Sequence, residues 1–212
     1  MTVDLTAELA DARVLAIIRG TDTAAAIAAG TALLAEGVRV VEVALTTPDA
    51  LRAIEALRAA APAGSLVGAG TVLTTADVAD VAAAGAQFVV TPAVVESIAE
   101  AARRGLPVAA GALTPTEAYT AMRMGASAVK LFPASVGGPA YLKAVRDPFP
   151  DIPFVAVGGV GADEVPGYLR AGAIAVGLGG PLVGDAASGG DLDALRARAR
   201  GYLAVVREAT PS

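Results

Sequence analysis

The chain has 212 residues, a formal net charge of -5 and a hydrophobic fraction of 55%, enough for one sizeable core in one domain, 1–212. It contains neither Cys nor His, which excludes disulfides, thiolate metal sites and cysteine nucleophiles and removes the commonest general base and the commonest zinc ligand. The acidic balance, with no long basic run, argues against nucleic acid or an anionic membrane surface as partner.

No apolar stretch reaches the roughly 18 residues of a membrane helix, and the acidic start MTVDLTAELADAR lacks the pattern of a signal peptide. A soluble cytoplasmic protein is expected. Any acid–base chemistry falls to Glu, Asp, Lys or Tyr, and neither a metal nor another cofactor is expected.

After a short N-terminal helix, apolar β-branched runs alternate with Ala-rich amphipathic stretches along the chain. The runs occupy 14–20, 38–45, 65–73, 87–93, 106–115, 127–135, 153–160 and 173–181. Eight strands that are apolar nearly throughout suit a parallel sheet covered on both faces. Between them lie helical segments such as 75–84, closed by Gly85, and 116–124, closed by Gly125. Pro48, Pro115 and Pro139 fall just inside helix starts, where a missing N–H costs nothing. The repeated βα unit predicts a (β/α)8 barrel of the α/β class, with a doubly wound open sheet as the alternative.

Two residues break the apolar pattern. Lys130 lies within the sixth run and Glu42 within the second, and a charged group inside a strand is costly to bury. Side chains alternate along a strand, so Val40, Glu42 and Ala44 share one face, as do Ala128, Lys130 and Phe132. Even-numbered strands fill common layers of a barrel interior, which lets Glu42 and Lys130 face one another. A buried ion pair that only holds the barrel together gives little net stability. The chemical reading is that a desolvated lysine forms a Schiff base with a ketone while the glutamate moves protons. Lys143, the other lysine, falls in a helix-like segment and is expected on the surface.

Glycines mark a second site. Gly158 and Gly159 follow the seventh strand, and Gly179 and Gly180 follow the eighth, the two loops whose backbone N–H groups cradle a phosphate in many barrels.

In order, IIRG, VEVALTTP, GAGTVL, FVVTP, GALTPTEA, KLFPAS, VGGV and GLGGP resemble the pyruvate-forming class I aldolases. These cleave 2-keto-3-deoxy-6-phosphogluconate, its galactonate epimer or 4-hydroxy-2-oxoglutarate. The resemblance implies a metal-independent homotrimeric barrel acting on a small anionic 2-keto acid, with Lys130 as the Schiff-base lysine and Glu42 as the proton shuttle. It places Thr71 and Pro92 in the pyruvate pocket and Gly158, Gly159 and Gly180 in the phosphate loops, the last position being often Ser in relatives. Phosphogluconate-type members carry Arg where this chain has Thr46. Galactonate-type members have a small polar residue there and keep an Arg in the first-strand motif, here Arg19. The implied reaction splits a 2-keto-3-deoxy-6-phospho sugar acid into pyruvate and glyceraldehyde 3-phosphate. A non-phosphorylated 2-keto acid aldolase and a non-catalytic phosphometabolite-binding barrel are the alternatives.

Overall fold

Eight parallel strands close on themselves in sequence order in the computed structural model, which describes residues 3–209. They are β1 (Val14–Ile18), β2 (Val40–Ala44), β3 (Leu66–Gly70), β4 (Val89–Val90), β5 (Val108–Ala112), β6 (Ala128–Leu131), β7 (Phe154–Val157) and β8 (Ala173–Leu178). The expected (β/α)8 barrel is therefore the fold, and the open sheet is excluded because β1 pairs with β8. Helix α1 (Leu5–Ala12) precedes the barrel. Helices α2 (Thr23–Ala35), α3 (Ala50–Ala60), α4 (Thr75–Ala83), α5 (Ser97–Arg103), α6 (Pro115–Arg123), α7 (Gly138–Arg146) and α8 (Val165–Arg170) follow the strands in turn. After β8 come the short α9 (Gly180–Val183) and the long α10 (Leu192–Ala209).

Strand alternation divides the apolar residues into two cores. Val14, Ala16 and Ile18 point outward and pack with the surrounding helices, whereas Leu15, Val40, Leu66, Phe88, Ala109, Ala128, Val155 and Ala175 fill the barrel interior. Leu5 and Leu9 of α1 join the interior cluster and plug one end, each worth about 2 kcal/mol of burial. Phe88 takes up the space left by Gly68, where an added Cβ would lie 2.6 Å from three ring atoms.

Helix boundaries follow local chemistry. Thr74 with Asp77, and Thr114 with Glu117, form capping boxes at α4 and α6, and Pro115 is the first residue of α6. Pro139 is the second residue of α7. Pro48 is different: the cap of α3 is Asp49, so Pro48 lies outside that helix. Its carbonyl instead accepts the Thr23 hydroxyl at 2.8 Å, joining the β2 and β1 loops. The fourth strand is also shorter than its apolar run. Beyond it Thr91 turns its hydroxyl onto the backbone, donating to Ala93 O at 2.7 Å and accepting from the Gly111 N–H at 3.1 Å.

Candidate active site

The barrel mouth at the C-terminal ends of the strands holds a cavity of about 220 Å³. Lys130 and Arg19 supply the only charged side chains among its lining residues; most of the wall is Gly, Pro or apolar. Lys130 sits on β6 between Gly111 of β5 and Val155 of β7. It is 7% exposed, and its Nζ lies 5.3 Å from the centre of the Phe132 ring, within cation–π range. Phe132 also lines the cavity. Its place two residues beyond Lys130, in step with the alternation of the run, is the sequence signal for it, although β6 itself ends at Leu131.

Two further glycines shape this region. A Cβ on Gly111 would lie 2.3 Å from the Pro92 carbonyl carbon, so the absence of a side chain lets the Pro92 turn fold over β5 and reach the cavity. Gly70 of β3 leaves space for Glu42 on β2. Neither role is legible in a sequence, because each depends on a neighbour across the sheet.

Glu42 is 1% exposed and is not among the residues that line the cavity. Burial pushes its carboxyl above the usual carboxylate range, while the positive charges of Lys130 and then Arg19 act in the opposite direction. Its Oε2 is buried without a hydrogen-bond partner. The carboxylate feels Lys130 without forming a salt bridge to it, so the pair is not the close ion pair that would simply brace the barrel.

Arg19 is exposed at the end of β1 and donates from Nη2 to Thr71 Oγ1 at 3.3 Å. Thr71 follows β3 with φ 60°, a left-handed conformation that is strained for a β-branched residue. Thr71 is thus brought to Arg19, although of the two only Arg19 lines the cavity. Thr46 is not brought in: it is exposed in the β2 turn and does not line the cavity. Its neighbour Thr47 is buried instead and accepts the Gly20 N–H at 3.3 Å.

Gly158, Gly159, Gly179 and Gly180 all line the same cavity. Gly158 and Gly159 have φ of 96° and 76°, and side chains there would meet Phe132 and Ser135. Gly180 has open space around the position of a Cβ. Lys143 is exposed on α7. Among the described residues there is no group of three or more Asp or Glu side chains able to hold a metal ion, and no helix is long and apolar enough to cross a membrane.

The barrel, with a lysine at its mouth and a buried carboxyl within that lysine's electrostatic reach, is that of a class I aldolase, a carbon–carbon lyase. The chain belongs to the KDPG and KHG aldolase family, whose model matches residues 5–197. It is 41% identical over 180 residues to a Rhizobium meliloti protein named "Probable 2-dehydro-3-deoxy-6-phosphogalactonate aldolase", covering 84% of this chain and 85% of that one. It is 36% identical to the Escherichia coli 2-dehydro-3-deoxy-6-phosphogalactonate aldolase, covering 92% and 95% of the two chains. Among solved structures, the Legionella pneumophila KDPG aldolase holds pyruvate captured as a covalent carbinolamine. This chain matches it with a TM-score of 0.80 at 30% identity, over 97% of this chain and 98% of that one.

Proposed function

We propose that this aldolase reversibly cleaves a 2-keto-3-deoxy-6-phospho sugar acid to pyruvate and glyceraldehyde 3-phosphate, with Lys130 as nucleophile and Glu42 as proton shuttle. The observation that carries the reading is the position of Lys130 in the cavity with the buried carboxyl of Glu42 within its electrostatic reach.

Lys130 Nζ attacks the C2 ketone, forming a carbinolamine. Glu42, whose raised affinity for a proton suits it to donate as well as accept, assists the loss of water. The protonated imine is the electron sink for C3–C4 cleavage while Glu42, directly or through water, takes the proton from the C4 hydroxyl. The resulting enamine is protonated to the pyruvyl imine, and water releases pyruvate. The imine supplies the electron withdrawal that a Lewis-acidic metal provides in other aldolases.

Arg19 and Thr71 bind the carboxylate end beside the imine, with Pro92 closing the pyruvate pocket. Gly158, Gly159, Gly179 and Gly180 offer backbone N–H groups to the 6-phosphate. The galactonate epimer is the better substrate. Arg19 is at the cavity and Thr46 is not, and the galactonate-type relatives align over 84% and 92% of the chain. We also read the chain as one domain, acting as a cytoplasmic homotrimer, a reading the family resemblance supports.

Cleavage rates on the gluconate and galactonate epimers, each with and without the 6-phosphate, test this reading. Faster cleavage of the phosphorylated galactonate epimer is expected. Equal rates with phosphorylated and dephosphorylated acids would remove the phosphate assignment.

A further inference from the structure

After β8, Gly179 and the first two residues of α9, Gly180 and Pro181, give the cavity part of its wall, and α9 is a helix of only four residues. A single turn has little stability of its own, because helix nucleation fixes several dihedrals for very few bonds. Its last carbonyls also have no partner inside the helix.

One side chain from a distant element takes two of them. Arg198, on α10, donates from Nε to Leu182 O at 2.8 Å and from Nη2 to Val183 O at 2.9 Å. The planar guanidinium makes both bonds in one geometry, and each is charge-assisted. Gly184 closes α9 with φ 59°, and a Cβ there would lie 2.5 Å from Arg198 Nη2. The turn is therefore shaped around the guanidinium from its other side as well. Arg198 touches neither Lys130 nor Glu42, so the Schiff-base chemistry does not use it.

We infer that Arg198 is a positioning residue for the phosphate end of the substrate. It fixes α9 from behind and so holds the N–H groups of Gly179 and Gly180 at the cavity wall. The inference rests on the phosphate reading proposed above. Its signature is a loss confined to phosphorylated substrates.

The test compares wild type with Arg198→Met, which keeps an apolar stem but no donors, and Arg198→Lys, which keeps the charge without the fork. The readouts are kcat and KM on a 2-keto-3-deoxy acid with and without its 6-phosphate, and borohydride trapping of pyruvate. Arg198→Met should raise KM for the phosphorylated acid about tenfold while KM for the dephosphorylated acid and pyruvate trapping stay within about twofold of wild type. Arg198→Lys should recover part of the loss. An equal rise in KM for both acids, or a fall in kcat alone, overturns the assignment.

If Arg198→Met does not fold, amide exchange at Leu182, Val183 and Gly184 decides the matter using wild type and Arg198→Lys. Inorganic phosphate should slow exchange more in wild type than in the variant, and equal protection overturns the proposal. A wild-type enzyme with the same KM for both acids overturns the phosphate reading itself, and is told apart from a failure at Arg198 because it appears before any substitution is made.

Discussion

A Cβ placed on Gly70 would lie 2.6 Å from Glu42 Oε1 and 2.9 Å from its Cδ. Strand β3 therefore carries a notch into which the carboxyl of the neighbouring strand fits. Gly70→Ala should push the Glu42 side chain aside and lower turnover by roughly 10- to 100-fold, within the range expected for loss of a positioned proton carrier. Pyruvate trapping by Lys130 should persist. Full activity with alanine would show that the carboxyl can move without consequence.

Pyruvate with borohydride should add mass to the peptide containing Lys130, and Lys130→Ala should abolish both trapping and turnover. Lys143→Ala should leave both near normal, since Lys143 is exposed on α7. Mass on a peptide containing Lys143 would relocate the imine.

Glu42→Gln should lower turnover by roughly 100-fold or more. Its effect on stability should also depend on pH. Burial raises the folded-state pKa above the ordinary value of 4.5, so the folded chain holds this proton more tightly than the unfolded chain. The stability of wild type relative to Glu42→Gln is thus greatest below 4.5 and is lost as pH rises through the folded-state value. Urea unfolding of both proteins across that range measures the difference; a parallel pair of curves would mean the carboxyl is not perturbed.

The apolar runs make the alternating βα architecture legible, because strands buried on both faces need little else, whereas closure is shown by the pairing of β1 with β8. Lys130 and Glu42 stood out for the same reason, as charges in positions where burial is costly. What could not be read were relationships set by closure. Thr46 and Thr47 are identical in sequence terms, yet one is exposed and the other buried under the Gly20 N–H. The run at 87–93 yields only Val89–Val90 as strand, because Thr91 competes for the backbone with its own hydroxyl. Arg198 gave no signal, since its partners are carbonyl groups that every residue carries.

Arg19→Ala should raise KM for pyruvate-type substrates and slow cleavage, and Arg19→Lys should rescue only part, because an ammonium keeps the charge without the fork. Kinetics on both epimers check this; unchanged values in Arg19→Ala would leave Arg19 as a surface charge.

Gly180→Ser should be tolerated, as the position of a Cβ there faces open space and the backbone is not left-handed. The hydroxyl adds one donor where the phosphate is placed, so KM for the phosphorylated acid should fall by about 2- to 10-fold, the scale of one hydrogen bond. KM for the dephosphorylated acid should not change, and a fall in both would point to an effect on the imine end.

The loop that follows β1 is tied down on several sides. Gly20 N–H is bonded to Thr47 Oγ1 at 3.3 Å, Thr21 N–H to Ser188 Oγ at 3.1 Å, and Thr23 Oγ1 to Pro48 O at 2.8 Å. Arg19 itself reaches Thr71. Gly20 has no room for a side chain, since a Cβ would fall 1.8 Å from Ala187 O. The guanidinium is thereby mounted on backbone that was ordered when the chain folded, and the entropy of fixing it is not charged again to substrate capture. Recognition at this end is thus rigid docking onto a preset anchor, and a change of substrate preference has to come from side chains added to the cavity wall rather than from rearrangement of the loop.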